Sequence, residues 1–342
     1  MTKNIRLALV LKRAAWMPSW KGLFTMSLLA VMCGQSLSLS AQGLIQRLDS
    51  LLATRYRKGN IDTAYVVRPR TNWTIKARFN VSGSDIQTEG HDQGDYFKSE
   101  IEADRKATLS LGVSYLGISL SASLNPDKLL GRYHDYELNL NCYGRRFGFD
   151  VAYQDAKNFT GWYDQEGMER IELPDEMLKV QTLNMNAYYV FNHRRFSYPA
   201  AFSQSYIQRR SAGSFLLAAS GMKQNATLNW EEGIKLKITE ISLGAGYGYN
   251  FVPGKGWLLH ISALPTFIVY SHTSMSFGDD RVPLHYRFPE VIITGRGAVV
   301  RQWANKFLGL SMVYNFSNIG NAKDLAVYNS KWLIRTFFGL RI

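Results

Sequence analysis

The sequence predicts an all-β protein: an antiparallel transmembrane β-barrel of about twelve strands with a short N-terminal periplasmic helix. Three observations carry that reading. From 239 to 251, Ile241, Leu243, Ala245, Tyr247, Tyr249 and Phe251 share one parity, and Ser242, Gly244, Gly246, Gly248 and Asn250 share the other. A soluble sandwich turns its apolar face inward and sets charged side chains outward. Here the face opposite the hydrocarbon is small and polar, as a barrel lumen is. The pattern recurs in most segments after residue 70, in a chain whose 19 Tyr, 18 Phe, 8 Trp and 28 Gly suit strands and tight turns. The third observation is an export leader. No long uninterrupted apolar run follows residue 42, which excludes a helical membrane protein.

Taken in order, Lys3, Arg6, Lys12, Arg13 and Lys21 make a basic, acid-free start, and an apolar stretch runs from Leu23 to Leu39. Residues 1–41 read as a signal peptide cut at Ala41-Gln42, with Met17 as an alternative start. Cys33 invites a lipid anchor, but Val31-Met32 stands where small residues belong and apolar sequence continues beyond it. In the lead-in, 42–70, Leu44, Ile45, Leu48, Leu51, Leu52 and Tyr56 recur at helical spacing. An amphipathic helix over 43–58 would cap or plug the periplasmic mouth, or bind a partner.

The barrel is expected over 71–342. Its strands fall near 72–84, 106–115, 118–124, 133–143, 146–155, 178–190, 211–222, 236–251, 256–270, 291–303, 307–316 and 330–342. Such an even number leaves both termini on the periplasmic side. Leu116-Gly117, Gly144-Arg145, Pro253-Gly254-Lys255 and Ala304-Asn305-Lys306 are the short periplasmic links. The long links at 85–105, 125–132, 156–177, 223–235, 271–290 and 317–329 face outward. Residues 191–210 break the rhythm, being long and Pro-containing where the count demands a short turn. They are a periplasmic excursion, a plug carrying Phe196, Tyr198, Pro199 and Phe202 into the lumen, or two extra short strands. Trp73, Trp257 and Trp303 sit beside periplasmic strand ends, as an interfacial girdle requires. The last strand resembles the terminal signal read by barrel-insertion machinery, although it ends in Ile342.

Charge leaves the same picture. Removing the five positives of the leader from +13 leaves +8 for residues 42–342. The pairs Arg145-Arg146, Arg194-Arg195 and Arg209-Arg210 lie at turns and form no continuous stripe, which argues against nucleic acid. Rim cations instead suit outer-membrane lipid and lipopolysaccharide. Without the leader Cys142 is alone, so no intramolecular disulfide forms.

Several stretches carry a family resemblance: Arg57 to Tyr65, Tyr136 to Asn141, Gly148 to Asp155 leading to Asn158 to Trp162, and Phe196 to Phe202 leading to Ser211 to Phe215. Together they resemble an uncharacterised family of Bacteroidetes outer-membrane proteins, defined only as domain of unknown function 4421. The resemblance implies the location and the fold. It implies no activity, because none of the stretches is a motif with known chemistry.

Neither a metal nor a cofactor site is expected, since the six histidines show no ligand spacing. His260 and Ser262 share the lumen parity, a local likeness to outer-membrane phospholipase A, but no Asn follows to orient the base. No catalytic residue is therefore assigned. Gly244, Gly246 and Gly248 alternate on a strand and do not form a phosphate loop; they leave room for something to pack, such as 191–210. A lumen network is expected from Asp135, Glu137, Asp150, Glu240, His260, Ser262, Arg296, Arg335 and Arg341, structural or pore-lining. The functional reading is an outer-membrane barrel of a Gram-negative bacterium, a restricted small-solute channel or an envelope structural protein. The alternatives are an outer-membrane enzyme acting on lipid or lipopolysaccharide and a periplasmic barrel holding a hydrophobic ligand.

Overall fold

The computed structural model describes residues 46, 47, 50, 51, 53 and 54 and, from 60 to 342, all but 93–94, 117, 125–135, 158, 175–176, 230–233, 278–279, 285–289 and 322–324. The expected signal peptide, Asp135, and the side chain of Glu137 lie outside the described residues. The chain forms two units, divided after Gly59. In the first, the six described residues are helical, with Ser50 Oγ donating to the Arg47 carbonyl at 2.9 Å.

The second unit begins with β1 (Val66–Val67), β2 (Trp73–Asp92), β3 (Asp95–Tyr115) and β4 (Ile118–Leu124). Next come β5 (Tyr136–Tyr143), β6 (Phe147–Ala156), β7 (Phe159–Gln165), β8 (Ile171–Leu173) and β9 (Leu178–Val190). A one-turn helix α1 (Tyr198–Phe202) and β10 (Ile207–Gln208) precede β11 (Ala212–Leu228), β12 (Ile234–Gly254) and β13 (Trp257–Phe277). The chain ends with β14 (Asp280–Leu284), β15 (Val291–Trp303), β16 (Lys306–Asn321) and β17 (Leu325–Arg341).

Twelve of these strands close into an antiparallel ring in the order β2, β17, β16, β15, β13, β12, β11, β9, β6, β5, β4, β3 and back to β2. Closure is what removes sheet edges, whose unpaired N–H and C=O groups would be costly in lipid. The seam joins the first and last ring strands, with Lys76 opposite Gly339 and Thr74 opposite Arg341. The alternation resolves as expected. On β12, Leu243 is 49% and Tyr247 47% exposed, while Ser242 is 2% and Asn250 0%. Trp73, Trp257 and Trp303 are exposed at the short-turn end, where Trp73 packs on Tyr115 with ring centroids 4.5 Å apart.

Two expectations need correcting. Much of the supposed outward loops at 85–105, 271–290 and 317–329 is strand, since β2, β3, β13, β16 and β17 run on past the apolar belt. Backbone pairing continues where apolar alternation stops, so hydropathy ends a strand too soon. Within the supposed loops, β7 and β8 extend the sheet beside the far half of β3, and β14 pairs with β13.

Candidate functional site: the occluded bore

Residues 191–210 turn into the ring at its short-turn end. Ser197 caps α1, accepting from the Ala200 N–H at 3.3 Å, and Pro199 sits in the first turn where no backbone donor is needed. Ala200 and Ala201 bring no bulk, and Phe196 and Tyr198 bury their rings. These rings share a cluster with Tyr188, Val190, Leu216 and Leu264 from the wall, with Phe202 packed against it.

Polar groups from around the ring hold the segment. Lys76 Nζ of β2 donates to the Ser203 carbonyl at 2.6 Å, and Arg341 Nε of β17 donates to the Gln204 carbonyl at 3.0 Å. On the β12 side, Asn250 Nδ2 donates to the Ser197 carbonyl at 2.9 Å and to Gln208 Oε1 at 3.1 Å. Gln208 in turn donates to the carbonyls of Arg195 and Arg210. The lead-in braces the same segment. β1 pairs with β10, Arg195 forms a 3.1 Å ion pair with Asp62, and the Arg195 guanidinium lies 5.1 Å from the Tyr65 ring centroid.

The expected lumen residues divide. Arg296 is central: it lies 3.7 Å from Asp150 and about equally far from the rings of Tyr198 (5.8 Å) and Phe202 (5.9 Å). Glu240 is buried apart from that pair, with Glu290 as its charged neighbour. Arg335 donates from Nε to Asn80 Oδ1 at 2.8 Å, and Arg341 serves the plug.

His260 and Ser262 do meet a third group, against expectation. His260 Nδ1 lies 2.7 Å from Asn250 Oδ1, and His260 Nε2 lies 3.0 Å from Ser262 Oγ. The orienting Asn precedes the pair on the neighbouring strand, where a search downstream in sequence misses it. Because Asn250 Nδ2 is engaged with Ser197 and Gln208, its Oδ1 faces the imidazole. That fixes the Nδ1–H tautomer and leaves Nε2 to accept the Ser262 proton. The rings of Phe202, Tyr198 and Phe196 stand 5.0, 5.3 and 6.0 Å from the imidazole centroid, so the plug covers the chain of bonds.

The glycine row fills its expected role only in part. A Cβ at Gly244 or Gly246 would strike the Pro265 or Ala263 carbonyl of β13, so these two let adjacent strands approach. Of the three, Gly248 faces the plug, with a Cβ there falling 3.2 Å from the Phe196 ring. Lys76 and Gln208 are absent from the expected lumen and plug residues, and Asn250 is expected only on the polar parity of its strand. Their inward parity or their place in the odd segment was the available signal.

Residues 60–341 match the model of a domain of unknown function, DUF4421, and the chain belongs to that family. No curated protein matches. Among solved structures, the chain is similar to the outer membrane protease OmpT from Escherichia coli at 7% identity, covering 81% of this chain and 98% of that one, TM-score 0.47. The β domain of the Bordetella autotransporter BrkA follows at 10% identity, 78% and 100% coverage and TM-score 0.32. OprG of Pseudomonas aeruginosa has 11% identity, 79% and 95% coverage and TM-score 0.27. With scores this low, the architecture stands on the strand pairing described above.

Proposed function

We propose that this is an outer-membrane barrel whose bore is closed by its own chain, acting as a restricted small-solute channel. The supporting observation is the combination of an apolar outer face with a polar bore occupied by 196–208, held from β2, β12 and β17. Outer-membrane lipid and lipopolysaccharide would contact the outer face, and export would depend on the leader in 1–41. Planar-bilayer recordings of the purified protein test this. Deleting 197–207 should raise single-channel conductance over the parent, and the pair Asn250→Ala with Lys76→Met, which loosens the plug without shortening the chain, should do so partially. A folded deletion variant conducting no better than the parent would favour an envelope structural protein.

A second reading is favoured by the Ser262, His260 and Asn250 bonds, which have the order nucleophile, base, orienter. It stands second because the plug rings of Phe196, Tyr198 and Phe202 stand over the imidazole. A fluorophosphonate tests it: Ser262 Oγ would displace fluoride at phosphorus, with His260 taking the proton. Labelling lost in Ser262→Ala would move hydrolysis to first place; no labelling of either the parent or the folded 197–207 deletion variant would remove it.

A further inference from the structure

We infer that the wall formed by β2 and β17 binds a small oxyanion, a phosphate or a carboxylate, between Arg78 and Arg335. The inference rests on the solute-handling reading above and adds the solute's chemistry.

Four cations point inward from these adjacent strands: Lys76 and Arg78 from β2, Arg335 and Arg341 from β17. Arg78 pairs with Phe337 and Asn80 with Arg335, so the two guanidinium groups occupy diagonal positions. The charges of Arg78, Arg335 and Arg341 all reach Lys76, and that of Arg335 reaches Arg78. The strands of this wall carry no acid beside the cations. β16 and β17 contain none, the first on β2 is Asp85 and the last on β3 is Asp104, both beyond the cationic stretch. Among the described residues no ion pair joins Lys76, Arg78 or Arg335 to a carboxylate, and Asp150 is engaged by Arg296 at 3.7 Å.

Burying Arg78 and Arg335 side by side with no carboxylate paired to either among the described residues is unfavourable, and a planar guanidinium fork is shaped for oxyanions. The surroundings hold the forks in place. Asn80 accepts from Arg335 Nε and donates to Ser110 Oγ at 2.6 Å and Thr108 Oγ1 at 3.0 Å, which fixes one guanidinium. Arg78 lies over Gly112, where an added Cβ would fall 3.1 Å from its terminal nitrogen, so the missing side chain is what seats the second. Lys76 is committed to the plug through Ser203, which leaves Arg78 and Arg335 as the pair assigned to the oxyanion.

The test is calorimetric titration of the full chain in detergent with inorganic phosphate at constant ionic strength, then with acetate in competition. Saturable phosphate binding is expected, falling by about tenfold or more in the double variant Arg78→Gln with Arg335→Gln. An equal charge change off this wall, Lys223→Gln with Lys235→Gln, should leave it unchanged. Displacement by millimolar acetate would assign the carboxylate, and failure to displace would assign the phosphoryl group. If the double variant does not fold, Arg78→Lys keeps the charge but loses the fork and should weaken binding alone. No saturable binding to the parent, or equal binding by the folded variants, would overturn the inference. Because binding is read in detergent without current, it stands or falls separately from the conductance result.

Discussion

The two ends of this barrel follow different rules. At the short-turn end the outward residues of β2 are Ile75, Ala77 and Phe79, and the bore inside them is filled by aromatic rings and anchored carbonyls. At the loop end the outward positions of the same strand become Asp85, Gln87 and Glu89, facing Glu102, Glu100 and Lys98 of β3. The plug bonds described above all lie at the short-turn end; here Tyr96 and Tyr328 each donate to Glu89 at 3.0 Å, and the hairpin is held chiefly by backbone pairing. The lesson is that apolar alternation measures the membrane, whereas strand length measures hydrogen bonding, and the two need not end together.

The largest expected contrast is in packing. Phe196→Ala at the filled end should lower unfolding stability by about 3–5 kcal/mol, since it empties a closed core. Tyr163→Ala, which removes a ring stacked 5.9 Å from Phe97 at the other end, should cost far less. Denaturant titration of both variants measures the difference, and equal losses would mean that the two ends are equally packed. The next contrast is in solvent. Leu243→Arg in the belt should cost about 2–4 kcal/mol and impair insertion, whereas Gln87→Arg on the same outer surface beyond the belt should insert normally. Heat-modifiable gel mobility of the two variants reads this directly.

Titration gives the smallest effects, of opposite sign at the two ends. Asp85 is pushed above the usual carboxylate range by partial burial and by Glu100 and Glu102 beside it. A raised acid binds its proton more tightly when folded, so the hairpin gains stability as pH falls through that raised value. His193, in the turn after β9, is held below the usual histidine range, first by desolvation and then by Arg146 and Arg145, with the Phe191 carbonyl opposing. Its contribution is present above the unfolded value and is lost as pH falls below it. Limited proteolysis across neutral to acidic pH should therefore show the loop end tightening and the turn end loosening. Asp85→Asn should flatten the first trend and His193→Gln the second.

Much of this was legible in the sequence. The twelve ring strands are legible because apolar alternation marks most of them, with an apolar outer face and a polar inner face at the described positions. The place of 191–210 follows from parity, since a closed ring has no room for a long link there. Their contacts do not follow. Asn250 meets His260 across a strand pair, and Lys76 meets Ser203 at a sequence separation of 127, and no local pattern encodes either. Gly244 and Gly246 answer to the neighbouring backbone, which only the register discloses. Strand ends were missed for the reason that separates the two ends of the molecule: polar hairpins pair without an apolar face to announce them.

The two carbonyls at Ser203 and Gln204 are adjacent in the chain, yet their donors, Lys76 and Arg341, come from opposite termini of the barrel. Those donors flank the one seam where the first ring strand meets the last. A segment synthesised midway along the chain thus makes its final bonds only when both ends of the chain have arrived, and so acts as a clasp on the finished ring. Assembly acquires an order: β2 and β17 zip, and the clasp rewards that event. An unclosed barrel would present Ser203 and Gln204 without both partners, marking it as immature.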